Sequence, residues 1–246
     1  MNTFKTRAEL KGEARQLLLG NYSKFICTIV LSELIINFVT YMVDYATFGI
    51  PYARYISFAL TIIVELFSGI LIAGSAYFYL NAATGKPAQV SDIFHCFTNY
   101  PNKAILVQVV FVIVSLITAV PSIIFAPAII SAPLDLLHPA ILILEAISIV
   151  LAFFADIFIG FSFYMMHDFP SLSAGELLKM CLKLMKGYKK KLIMLNLSFL
   201  PLYLLGFLSF GLGLLWITPY VSMCKVNFYL NLVEEKTNVS TSNTHL

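Results

Sequence analysis

Charge is what this 246-residue chain has least of: Asp, Glu, Lys and Arg together make up 12% of it, against 59% hydrophobic residues. A soluble domain carries about twice that charged share. In water, such a chain would expose apolar surface far beyond what a monomer tolerates. This excludes an ordinary water-soluble domain and points to lipid as the solvent. Cysteine is also scarce. The four, Cys27, Cys96, Cys181 and Cys224, form no CxxC pair, and none falls in an expected outer loop. A disulfide framework is therefore not expected, and each reads as a small buried apolar residue. Catalytic signatures are missing too. Ser131, Ser171 and Ser198 lack a GxSxG context, and His95, His138, His167 and His245 are scattered, so they read as interface anchors. No cofactor, metal site or catalytic residue is expected. The lysines have no aromatic platform or recognition module beside them, which argues against nucleic acid as a partner.

What the chain has instead is long apolar runs. Spans of roughly 20 residues suit a bilayer. Six are expected, at 25–44, 55–80, 104–131, 139–166, 192–208 and 212–232. The first is read as retained and not as a cleaved signal, because the run from Phe25 to Val43 is too long for a signal core and no small-residue cleavage site follows. Pro121, Pro127 and Pro133 predict a kinked or unwound outer half for the third span. Ser209-Phe210-Gly211 reads as a tight apolar hairpin between the last two, and the polar residues 237–246 read as a disordered tail.

The net charge of +3 is modest, but its distribution gives an orientation. Fifteen of the 16 Lys and Arg residues fall on one side of the expected spans, with Lys225 and Lys236 counted in the C-terminal flank, and only Arg54 falls on the other. The positive-inside rule then puts both termini in the cytoplasm. The fold class expected is all-α: a polytopic bundle of six transmembrane helices in the plasma membrane.

The basic segments carry helix signals of their own. Thr6-Arg7-Ala8-Glu9 and Ser173-Ala174-Gly175-Glu176 are capping boxes. After the second, Lys179, Lys183, Lys186 and Lys190 share one face, and Leu177, Leu178, Cys181, Leu182 and Met185 another. This predicts an amphipathic helix at the membrane surface. Gly20 and Gly187 stand 14 positions after Thr6 and Ser173, and a lysine follows each four positions later. A middle copy runs through Ile93, Phe94, Phe97 and Asn99 to Lys103, with Asn99 as the expected left-handed stop. The chain thus reads as three parallel units, at about 5–80, 86–166 and 172–232, each a surface helix followed by two spans.

Polar residues inside the spans are the candidate site. Glu33, Asn37, Glu65 and Asp156 fall in one belt, roughly 12–22 Å deep at about 1.5 Å per residue, and no Lys or Arg is expected at that depth. Glu145 lies nearer the outer surface. Unpaired carboxylates there are costly. They are read either as protonated groups bonded between helices or as a proton or cation pathway. Lys179, Lys183, Lys186, Lys189, Lys190 and Lys191 are candidate contacts for anionic lipid headgroups.

Several runs carry a resemblance. Leu184-Met185-Lys186-Gly187-Tyr188-Lys189 leads into Leu197-Ser198-Phe199. Gly211-Leu212-Gly213-Leu214-Leu215-Trp216 leads into Pro219-Tyr220, and Asn227-Phe228-Tyr229 follows. With Arg7-Ala8-Glu9-Leu10-Lys11, Gly20-Asn21 and Phe163-Tyr164, the chain resembles a bacterial integral membrane family catalogued as domain-of-unknown-function family 975. It departs from that family's pattern at Ala119-Val120-Pro121-Ser122, which lacks the usual glycine after proline. The resemblance implies a multi-span membrane protein and assigns no residue a role. The function expected is a non-enzymatic scaffold, an accessory to a membrane protein partner, or a lipid-contacting protein. The alternative is a small proton- or cation-linked transporter or channel component using the intramembrane carboxyls.

Overall fold

The computed structural model describes residues 4–131 and 139–244, without side-chain detail for 119–131, 139–142, 144, 145, 155 and 238–244. Pro133, His138, His245 and the Glu145 side chain therefore lie outside the described residues. All regular structure among the described residues is helical.

The chain opens with α1 (Arg7–Leu18), then α2 (Tyr22–Thr47) and α3 (Ala53–Ala83). A 3-10 turn (Val90–Phe94) runs into the single-turn α4 (His95–Thr98) and on to α5 (Pro101–Ser131). Next come α6 (Pro139–Ile159), α7 (Ser162–Asp168) and α8 (Ala174–Leu184), and last α9 (Lys189–Leu197), α10 (Leu200–Leu208) and α11 (Leu214–Thr244).

Both predicted capping boxes form. Glu9 reaches back to the Thr6 N–H at 2.6 Å and Glu176 to the Ser173 N–H at 2.8 Å. These bonds satisfy amide donors that a helix start leaves without a partner. They favour the ionised carboxylates, which holds Glu9 and Glu176 below the ordinary carboxyl range. Gly20 and Gly187 both take a left-handed φ, +77° and +90°, and stop their helices as the spacing predicts. The middle stop differs. Asn99 is extended at φ −115°, and Tyr100 takes the left-handed turn at φ +64°. Pro101 follows as the first residue of α5, and a residue before proline is pushed out of the right-handed helical region.

Among the described residues, five helical stretches are long and apolar enough to cross a membrane: α2, α3, the first part of α5 through Thr118, Ala146–Asp168 across α6 and α7, and Lys189–Leu208 across α9 and α10. α11 is not among them, because Thr218, Pro219, Ser222, Lys225, Asn227 and Asn231 dilute its apolar character. Large apolar side chains such as Leu34, Phe38, Ile149, Leu204 and Leu208 face outward, as lipid-facing residues do. The helical backbone continues through Pro121 and Pro127 to Ser131, where a kink is expected from the sequence. It also continues to Thr244, over the polar stretch read as disordered. The breaks fall elsewhere, at Gly160–Phe161 and Ser198–Phe199. A serine sits at each break and bonds a nearby carbonyl: Ser162 Oγ to Ile159 O at 2.6 Å, and Ser198 Oγ to Leu195 O at 2.5 Å. Such side-chain bonds compete with the helix ladder and bend it.

The spine of the bundle is α3, which packs against α2, α5, α7 and α11. Small residues bring its neighbours close. A Cβ added at Gly74 would overlap the Ile93 backbone, and one at Gly69 the Gln108 side chain. The short helices α1 and α8 cap one end. Leu10, Ala14 and Leu18 of α1 are buried, with α1 lying along α11. Leu177 and Cys181 of α8 are buried against α5, α6 and α7, and burial pushes the Cys181 thiol up to about 11. Leu10, Ala14 and Leu18 of α1 and Leu177 and Cys181 of α8, with Met185 just beyond it, are thus covered by protein, while Leu182 stays exposed.

Candidate functional site: an ion pair in a polar cavity

One to two helical turns in from the capped end, the helices part around a cavity of about 370 Å³. Its wall takes Ser75 and Tyr79 from α3, Gln108 from α5, Asp156 from α6, Tyr164 from α7 and Lys225 from α11. Aromatic rings back it, with Phe111 and Phe163 stacked at 5.4 Å between centroids. Lys225 Nζ donates to Asp156 Oδ2 at 2.6 Å, and about half of the Asp156 side chain stays accessible. Beside it, Gly160 has no Cβ to press on the carboxylate; one added there would stand 2.8 Å from Asp156 Oδ1.

This pair corrects the sequence reading. Lys225 was assigned to the C-terminal flank, and the belt was expected to hold no cation. Lys225 in fact lies in the helical bundle, 69 positions from its partner in sequence and beside it in space. The pair's signal in the sequence is a lysine inside the stretch 212–232 expected as the sixth span. The protein itself thereby supplies a counter-charge for Asp156.

The other belt residues do not join it. Glu65 accepts from Ser115 Oγ of α5 at 3.1 Å, an interhelical bond. Glu33 and Asn37 are exposed on α2, one turn apart, with Asn37 Nδ2 donating to the Glu33 carbonyl at 2.7 Å. The cavity instead recruits residues that the sequence reading passed over. Among the described residues, the Gln108 Oε1 oxygen is buried without a hydrogen-bond partner. Such a group costs free energy when its bond is left unmade, so it marks a place where a further partner would be stabilising.

The histidines split. His167 Nε2 bonds the Ala73 carbonyl at 2.8 Å and lies 4.0 Å from Cys96 Sγ, while His95 stacks on Tyr77 at 3.9 Å. The next residue, Asp168, turns away and accepts from the Tyr229 hydroxyl at 2.5 Å. Burial pushes the Cys96 thiol up to about 12. Among the described residues, no group of three or more His, Cys, Asp and Glu is placed to hold a metal ion.

The lysines form a second polar region. Lys179, Lys183, Lys186, Lys190 and Lys191 are exposed, and Lys189 lies over the Phe158 ring at 3.8 Å. Lys190 and Lys191 border a groove of about 610 Å³ with Lys5 and Arg7 from the N-terminal segment. Phe4, Leu10, Met194 and Phe228 supply its apolar walls. Lys191 Nζ sits 4.2 Å above the Phe4 ring, and Lys5 pairs with Glu13 at 2.7 Å.

Comparison with curated proteins and with solved structures gives no match. The sequence model of one family, described as "Protein of unknown function (DUF975)", matches residues 1–236. The chain therefore belongs to that family.

Proposed function

We propose that this is a non-enzymatic, multi-pass membrane protein that engages anionic lipid headgroups at the cytoplasmic leaflet. In this reading α11 supplies a sixth span, both termini lie in the cytoplasm of a bacterial cell, and the capped end faces inward. The groove carries the proposal. Four cations around an apolar floor match an amphiphile with a negative head and acyl chains. The burial of Leu177, Cys181 and Met185 supports the same reading, because it turns the lysine face of α8 outward, toward headgroups.

The test is thermal unfolding of the purified protein in detergent with added phosphatidylglycerol or phosphatidylcholine. Phosphatidylglycerol should raise Tm by several degrees and phosphatidylcholine should not. Replacing Lys190 and Lys191 together by Gln should remove most of the gain, since each cation near an anionic headgroup contributes about 1 kcal/mol. Equal stabilisation by both lipids, or a gain untouched by the double replacement, would overturn the proposal.

A further inference from the structure

The cavity around Asp156 and Lys225 has a composition that selects among ligands. Its two charges cancel, so a simple anion would meet Asp156 and a simple cation would meet Lys225. A molecule carrying both signs meets neither objection. It can exchange the internal pair for two of its own, without leaving a charge uncompensated in a low-dielectric bundle. The remaining wall favours a particular cation. A primary ammonium has three N–H donors and needs several acceptors. Asp156 supplies a carboxylate, and the buried Gln108 Oε1 on the same wall has no partner among the described residues. The stacked rings of Phe111 and Phe163 add electron-rich faces. The volume, about 370 Å³, suits a small solute or a headgroup.

We propose that this cavity binds a small zwitterion bearing a primary ammonium and an anionic oxygen, the ammonium on Asp156 and Gln108 and the anion on Lys225. Two sources offer that chemistry: a free solute such as an α-amino acid, and the phosphoethanolamine head of a phospholipid. The inference is independent of the lysine groove, which takes a net anion at a different place.

Thermal unfolding of the full chain in detergent tests the free source. Alanine and O-phosphoethanolamine are the probes, with acetate and ethylamine as single-charge controls. Nanodiscs of phosphatidylethanolamine or phosphatidylcholine test the lipid source, because a quaternary ammonium donates no N–H. A saturable rise in Tm with either zwitterion, absent with both controls, supports a free ligand. A rise in phosphatidylethanolamine nanodiscs alone supports the headgroup.

Replacing both partners, Asp156→Asn with Lys225→Met, removes the charges together and should abolish the rise in either arm. If that variant fails to fold, Gln108→Met decides. It deletes an unpartnered buried oxygen, keeps the ion pair, and should weaken the response at least tenfold while the ligand-free Tm holds or increases. No response in either arm, a response equal to that of the single-charge controls, or a response that survives these replacements would overturn the proposal.

Discussion

Tyr100 pays a conformational cost that no neighbour requires of a tyrosine. A left-handed φ costs a non-glycine residue about 1–2 kcal/mol, and the ring's contact with Lys103, 5.1 Å from ring centroid to Nζ, offsets part of it. Tyr100→Gly should therefore stabilise the protein by about 1 kcal/mol, read as a higher midpoint in denaturant unfolding. A lower midpoint would mean that the ring contact outweighs the strain. At this scale the sequence is legible for groups whose partners are near in the chain. Thr6 with Glu9 and Ser173 with Glu176 stand three apart, so spacing alone identifies them. Asp156 with Lys225 and Glu65 with Ser115 are 69 and 50 positions apart, and helical periodicity names a face without naming what lies across from it. Asn99 was read as the left-handed stop because asparagine tolerates that conformation. The restriction that Pro101 places on the residue before it is a different matter, and it bears on Tyr100.

Among the elements, the short capping helices depend on their first-turn carboxylates. The folded pKa of Glu9 and of Glu176 is depressed, so the contribution of each is complete above the unfolded value of 4.5 and is lost as pH falls through the lower folded value. α1 and α8 should lose amide protection against hydrogen exchange below about pH 4.5, before the long helices do. Glu9→Gln and Glu176→Gln should flatten that response. Protection that stays constant down to the acid unfolding of the whole bundle would contradict the assignment. The amphipathic pattern of α8 is plain in the sequence, but its use is not. The same stripe suits a lipid surface or a protein groove, and here Leu177 and Cys181 fill a protein groove. The helix breaks were also illegible. Prolines drew the reading to α5, while Ser162 and Ser198 mark the breaks through bonds that a common residue type does not advertise.

For the whole molecule, the proposed six-span topology makes α11 cross the membrane despite its polar residues. Single cysteines placed at Asn2 and Thr241 of a Cys-free variant should both resist an impermeant maleimide in intact cells. One at Phe210, which is almost wholly exposed at the α10–α11 turn, should label. Labelling at Thr241 would reduce the count to five. The bundle also shows a pattern that the sequence reading missed. Phe78-Tyr79, Phe163-Tyr164 and Phe228-Tyr229 place the same dipeptide in the second long helical segment of each expected unit. All three phenylalanines are buried, and Tyr164 stacks on Tyr229 at 5.7 Å.

α1 lies along α11, with the Lys5 N–H donating to Asn231 Oδ1 at 3.0 Å. These partners stand 226 positions apart, so α1 is synthesised well before α11. Until α11 emerges, α1 lacks the surface it packs along, and Leu10, Ala14 and Leu18 stay uncovered on that side. A product truncated ahead of Leu214 would keep that greasy stripe uncovered, a ready signal for the proteases and chaperones that sort incomplete membrane proteins.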